Sequence, residues 1–297
     1  MDWGQRTARL MVVFVLFAVG CSPVAASTAD EDEADARLSG RAAESRTVSR
    51  LTNLDGAILG LSGVAGAVDG LNLVAGSPVV PDGATIVAQA TGTAITARQG
   101  PDSGSSAIET FNNPTTYGGP LVFQAVAPDL DEDGWIEVLL PVRPNGTTGW
   151  IRTAEIDQTV NPYRIEVDPS LHSLRIQRFD EEVLSTTVAI GTGATPTPIG
   201  EFYLVELVRP SDPNGLYGSF AYGLSGYSET LDNYNGGQGV IGIHGTNEPD
   251  LLGEDVSHGC IRVANPTIEQ MVDFLPLGTP VHIFRSQPTE PGPANAS

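Results

Sequence analysis

The chain has 297 residues, enough for two ordinary domains and flanking tails. Hydrophobic residues make up 40% and aromatic residues 6%, adequate for globular cores and too little for a multi-span membrane protein. Fifteen Lys and Arg stand against 36 Asp and Glu, a formal net charge of −21. A nucleic-acid-binding face neutralises phosphates with cations, so this balance argues against nucleic acid as a partner. It also works against general attraction to an anionic bilayer or wall polymer, leaving a solvated acidic surface as the plain reading.

Arg6 and Arg9 precede a short apolar run, Leu10 to Val19. Spanning a bilayer takes about 20 apolar residues, so residues 1–20 read as a signal peptide. The following Ala18-Val19-Gly20-Cys21 resembles a bacterial lipobox. That resemblance implies lipidation of Cys21, contact with the membrane through the lipid anchor only, and a place on the outer face of the cytoplasmic membrane or in the periplasm and wall. Secretion with cleavage near Ala26 is the alternative. Either way Cys260 is left without an intramolecular disulfide partner, and a lone thiol in an exported protein is a candidate reactive group.

Residues 21–82 read as a flexible tether: "STADEDEADARLSGR" is acidic and free of aromatics, and the stretch after it is rich in Gly, Ala and Val. Residues 83–160 read as short strands between turns. "TAITAR" and "WIEVLLPVR" alternate apolar and polar residues, while "DLDEDGW" and "RPNGTTGW" place Asp-Gly and Asn-Gly turns before a Trp-Ile strand start. This resembles a small bacterial SH3-like β-barrel, with "DGWIEV" and "GWIRTAEI" as its closing strands. A structural spacer and a wall-binding module are equally open readings of it.

Residues 163–285 form a second strand-rich unit. "YRIEVDPSLHSLRIQRFDEEVLSTTVAIG" predicts three strands joined by tight turns. The Gly/Tyr-rich stretch 216–239 suits a binding loop or flap, and "VIGIHG" predicts a strand ending at His244. "NPTIEQMVDFLPLG" has the spacing of one short amphipathic helix with Ile268, Met271, Val272 and Leu275 on one face, and "TPVHIF" a final strand. One helix after a largely β run gives a mainly β fold. The Pro-rich residues 286–297 read as a disordered tail.

"SHGCIR", residues 257 to 262, holds the chemistry. A thiol with an ordinary pKa of about 8.5 is mostly protonated at neutral pH, and the thiolate is the nucleophile, so activation needs a base or cation nearby. His244, His258 and Arg262 supply such groups. In an extended segment His258 and Cys260 would project to the same side. An inert packed thiol is one alternative. A zinc site is another, with His244, His258 and Cys260 joined by Asp250, Glu254 or Asp255, although no C-x-x-C or H-E-x-x-H accompanies them. Papain-like endopeptidases place the Cys before its His, the reverse of the order here. His172 and His282 lie in strand patterns and read as surface or packing residues.

The segment "IHGTNEPDLLGEDVSHGCIRVAN", preceded by "TPTPIGEF", resembles the signature of the L,D-transpeptidase (YkuD-type) family. Ile199 replaces the usual Thr and Val263 a frequent Met, neither among the reactive groups. The resemblance implies a β-rich sandwich with one short helix after the catalytic Cys, and an enzyme that needs no cofactor or metal. It makes Cys260 the nucleophile, His244 its base and acid, and His258 a second histidine lining the site. The N–H groups of Gly259 and Cys260 become the oxyanion hole. Arg262, Asn265 and Gly245 are placed at the substrate, with fixing the turn before the helix as an alternative role. The implied reaction joins peptidoglycan stem peptides, donor and acceptor, in 3→3 cross-links through a Cys thioester with release of D-Ala. Use of the same site as an L,D-carboxypeptidase or for anchoring protein to the wall, and a non-catalytic wall-binding lipoprotein, are the alternatives.

Overall fold

The computed structural model describes residues 80–127, 134–233 and 238–286. The expected signal peptide, Cys21, the tether up to residue 79 and the tail from 287 lie outside the described residues. Ser286, read as the start of that tail, is tied down: its amide and hydroxyl both donate to the Asp168 carboxylate. No helix among the described residues is long and apolar enough to cross a membrane.

Seven strands come first: β1 (Thr85–Ala90), β2 (Ala94–Arg98), β3 (Ala107–Asn112), β4 (Val122–Ala125), β5 (Trp135–Leu139), β6 (Thr148–Arg152) and β7 (Ile156–Asn161). They form one sheet in the order β3-β2-β6-β5-β4-β1-β7. β5 and β6 pair along their full lengths, and β6 meets β2 at a single pair, Trp150 with Arg98. Alternation sends Ile86, Ala88, Ile95, Phe123, Ile136 and Ile151 into a core of their own.

After Pro162 the described residues make ten further strands and one α-helix. They are β8 (Tyr163–Asp168), β9 (Ser173–Arg178), β10 (Glu181–Thr187), β11 (Ile190–Gly191), β12 (Gly200–Val208), β13 (Ala221–Tyr227), β14 (Val240–His244), β15 (Asp255–Ser257), β16 (Ile261–Arg262), α1 (Asn265–Phe274) and β17 (Pro280–Ile283). Eight of the strands line up as β10-β9-β8-β17-β12-β13-β14-β16, and β11 pairs with β15 separately. β12 is the corner. Its first half, Gly200–Tyr203, pairs with β17, and from Leu204 on it pairs with β13, with a register shift between Leu204 and Glu206. The two half-sheets therefore turn their apolar faces on each other: Ile165, Val167 and Ile176 from one share a cluster with Leu224, Ile243 and Ile261 from the other. α1 contributes Ile268 and Met271, both fully buried. Of the four positions expected on its buried face, Val272 is partly buried and Leu275 is the buried residue that caps the helix.

One expectation fails here. The stretch 216–239 is not a single flap, because residues 221–227 are β13, an interior strand paired on both sides. Its small residues include Gly226, which lets an aromatic ring approach the backbone closely: a Cβ there would sit 2.4 Å from the Phe202 ring. Glycine density here serves packing rather than mobility.

The two units are packed together. Val87, Val122 and Leu139 of the first belong to the apolar cluster of the second, and Asn161 donates to Thr279 Oγ1 at 3.0 Å. Glu206 of β12 is buried and accepts from Thr115 Oγ1 and the Gly119 amide; burial lifts its carboxyl above the usual range, and those two bonds oppose the rise. Gly278 has φ +84°, and a Cβ there would lie 2.5 Å from Val87 Cγ1. Gly278→Ala combines a left-handed backbone with this overlap and should destabilise the protein by about 1–3 kcal/mol, read from the shift in urea midpoint.

Candidate active site

His244 is the last residue of β14, and β14 runs parallel to β16 with Ile243 opposite Ile261 and His244 opposite Arg262. Cys260 immediately precedes β16. Paired residues of adjacent strands point to the same face and alternate residues share a face. The register thus places the His244 and Arg262 side chains on one side of the sheet, at the strand that Cys260 leads into.

His244 is buried, 3% exposed. Its Nδ1 lies 2.6 Å from the Gly245 carbonyl oxygen. A carbonyl only accepts, so Nδ1 carries the hydrogen and the neutral ring presents its lone pair at Nε2. Burial lowers the imidazole pKa to about 4; the bond to Gly245 opposes that shift and the Arg262 charge adds to it. The ring is therefore a neutral base at physiological pH. The Tyr217 ring lies against it, centroids 4.8 Å apart and planes tilted by 53°.

The segment carrying the thiol is a built turn. Ser257 Oγ accepts from the Gly259 amide at 3.1 Å and donates to the Cys260 carbonyl at 2.6 Å. Gly259 has φ +118°, and a Cβ would stand 2.8 Å from Ile241 Cδ1, so only glycine fits. The preceding loop holds the turn from the other side: the Thr192 amide donates to the Ser257 carbonyl at 2.9 Å, and Thr195 Oγ1 donates to it at 3.2 Å. Cys260 is half-buried and forms no disulfide among the described residues; His258 is exposed.

Two expectations change. The segment 257–260 bends at Gly259 instead of extending, so strand alternation no longer relates His258 to Cys260. The Gly259 amide, expected in an oxyanion hole, is directed to Ser257 Oγ, and its single hydrogen is already donated.

The residues expected at substrate serve the turn first. Asn265 Oδ1 accepts from the Thr246 amide at 3.0 Å and the Ser219 amide at 3.4 Å, joining the start of α1 to the chain on either side of His244. A Cβ on Gly245 would fall 2.1 Å from that oxygen, so Gly245 is there for close approach. Arg262 is buried at 7% exposure, its Nη1 pairs with Glu248 Oε2 at 3.0 Å, and its Nε is buried with no hydrogen-bond partner. His172 pairs with Asp255 at 2.7 Å and His282 with Glu201 at 3.4 Å. Among the described residues no group of three His, Cys, Asp or Glu side chains is disposed to hold a metal ion. Sequence reasoning assigned no role to Ser257, Thr195, Tyr217 or Glu248. The alternation of Thr and Pro in "TPTPIG" marked its loop, but nothing marked Glu248 as the partner of Arg262.

The family model for the YkuD L,D-transpeptidase catalytic domain matches residues 162–283. A Bacillus subtilis protein provisionally named as the L,D-transpeptidase YkuD is 34% identical over 124 residues, covering 42% of this chain and 67% of that one. The chain belongs to the L,D-transpeptidase catalytic domain family. A Bacillus licheniformis protein with the same provisional name is 37% identical over 122 residues, covering 41% of this chain and 66% of its own. The chain thus spans about two thirds of the length of these relatives. The solved structure of Bdellovibrio bacteriovorus Bd1075 is 28% identical over 42% of this chain and 48% of its own, with a TM-score of 0.33, too low to add to the assignment. The match begins where β8 begins and ends with β17, so the first seven strands lie outside it.

The geometry around His244 and Ser257 has two measurable consequences. A His pKa of about 4 in the folded chain and about 6.5 unfolded means that the unfolded state binds more protons between those values. Stability should therefore fall as pH drops from about 6.5 to about 4, by up to about 3 kcal/mol at the lower end. Urea unfolding at several pH values should show that slope in the wild type, and a shallower one in His244→Gln. Ser257→Ala removes the two bonds its hydroxyl makes within the turn; it should change the rate of iodoacetamide alkylation of Cys260 about tenfold, measured by intact-protein mass spectrometry over time.

Proposed function

We propose that this protein is an L,D-transpeptidase of the bacterial wall that forms 3→3 cross-links between peptidoglycan stem peptides. The observation that carries this reading is the buried, neutral His244, with Nδ1 occupied by Gly245 and its Nε2 lone pair available, on the strand paired with the one that Cys260 leads into. In this reading Nε2 takes the thiol proton and the Cys260 sulfur attacks the carbonyl carbon of the third stem residue. The amide to the terminal D-Ala breaks, the imidazolium returns the proton to the leaving amine, and a thioester remains. An amine from a second stem, deprotonated by His244, displaces the sulfur and re-forms an amide. No ATP is needed, because one amide is exchanged for another.

The Cys260 amide is the oxyanion donor in this scheme. His258 lies at the exposed rim of the turn, where it can meet the donor stem. Arg262 and Asn265 act by fixing the turn, and Gly245 by allowing Asn265 to approach. The first seven strands are an SH3-like module preceding the catalytic unit. Export and lipid anchoring at Cys21 put the enzyme on the outer side of the membrane, where its substrate is.

Purified disaccharide-tetrapeptide incubated with the full chain tests this directly. A Cys260 adduct lacking D-Ala, together with a dimeric muropeptide, is the expected result, and Cys260→Ala should give neither while keeping its Tm. Release of D-Ala without dimer would identify a carboxypeptidase. Release of D-Ala by Cys260→Ala would end the assignment of the nucleophile.

A further inference from the structure

The first seven strands lie outside the family match, yet one of their loops grips the catalytic sheet. The β5–β6 connection carries Arg143 and Asn145. The Arg143 guanidinium donates to the carbonyls of Ser228 at 2.7 Å, Leu231 at 3.0 Å and Gln238 at 2.9 Å. Those acceptors come from both ends of the connection between β13 and β14, so one side chain joins its departing and returning arms. The same guanidinium lies over the Tyr227 ring, 4.9 Å from its centroid. Asn145 pairs with the Tyr227 backbone as a neighbouring strand would, accepting from its amide at 2.9 Å and donating to its carbonyl at 2.8 Å. The Tyr227 hydroxyl donates back to the Pro141 carbonyl at 2.8 Å.

A line of contacts leads from this clasp to the thiol. Gly239 has φ +67° and its amide neighbours are fixed: its carbonyl accepts from the Ser228 amide at 2.8 Å, and a Cβ would stand 2.4 Å from the Leu231 carbonyl and 3.4 Å from Arg143. β14 starts at the next residue. Two positions into the chain from Gly239, Ile241 packs against Gly259, the residue whose left-handed turn presents Cys260. The start of β14 therefore cannot shift along its axis without moving Ile241 against that turn.

We propose that Arg143 is a positioning residue for the catalytic centre, and that the first β unit acts as a clasp that fixes the entry into β14 and through Ile241 the Gly259–Cys260 turn. This rests on the transpeptidase reading for its catalytic readout, and on geometry alone for its structural one. The clasp is built from an exposed cation and backbone carbonyls, so its loss should disturb alignment more than global stability.

The test uses the full chain as wild type, Arg143→Ala and Arg143→Lys. Arg143→Ala should lower kcat for D-Ala release about threefold or more, with KM and Tm little changed, while amides 238–241 lose hydrogen-exchange protection. Arg143→Lys keeps the charge but not the fork of donors, and should recover only part of the rate. Iodoacetamide alkylation of Cys260, which needs no substrate, should change rate in Arg143→Ala by about threefold or more. Unchanged kcat with unchanged alkylation overturns the proposal, as does a loss of rate that merely tracks a loss of Tm. If Arg143→Ala does not fold, Arg143→Gln is read by the same criteria. If the wild type releases no D-Ala, the transpeptidase reading fails instead, and alkylation together with hydrogen exchange decides the clasp.

Discussion

The parallel pairing of β14 with β16 is the contact on which the site depends. It is only two residue pairs long, and short parallel pairings are weak by themselves. The structure reinforces it from both flanks. Ala189 exchanges hydrogen bonds in both directions with Arg262, and the Val263 amide donates to the His244 carbonyl. Parallel neighbours need a long crossover, and here it is irregular rather than helical. It contains the 3-10 turn Pro249–Leu251 and β15, which is itself stitched to β11. That stitching explains why the spacer between the two motif halves can be a loop and still deliver Cys260 to a fixed place.

Electrostatics at this edge favour a neutral base. Burial and the Arg262 charge both disfavour protonating His244, and the bond to Gly245 is too small an opposing effect to restore an ordinary pKa. Arg262 in turn is a buried cation with one pairing, to a half-exposed Glu248, and one unsatisfied Nε. Such an arrangement costs stability, and removing Glu248 alone would leave the charge buried and unpaired. What it contributes is a fixed positive charge beside His244, on the strand that Cys260 leads into. Since α1 starts three residues after Arg262, Asn265 at its first turn can clamp the chain on both sides of His244 without a conventional capping side chain.

Much of this was legible in the sequence because the relevant signals are local. Alternation in "YRIEVD" and "LRIQR" gave β8 and β9, the terminal His of "VIGIH" closes β14 as expected, and helical spacing located α1. Cys260 and His244, the proposed nucleophile and base, stand out by residue type and spacing. What local pattern could not give is where a side chain's partner comes from. Glycine density suggested a flap at 216–239, but Gly223 and Gly226 lie in β13 inside the sheet, and at Gly226 the Phe202 ring leaves no room for a Cβ. The amide of Gly259 looked available until Ser257 Oγ, two residues away, was seen to bend back onto it. Arg262 and Glu248 are brought together only by the crossover.

The contact between the two units limits what the first one can do. Val87, Val122 and Leu139 are as much part of the catalytic core as of their own sheet, and the loop of Thr115 to Gly119 closes over the buried Glu206 carboxylate. Separating the units would expose those apolar side chains, so a hinge at Pro162 is opposed by the apolar contact, while the return of Glu206 to water would offset its lost bonds to Thr115 and Gly119. A wall ligand of the first unit would therefore have to bind away from β12 and β13, on surface that the catalytic sheet does not cover. Its orientation relative to Cys260 would then be set by the same packing that holds β14 in place.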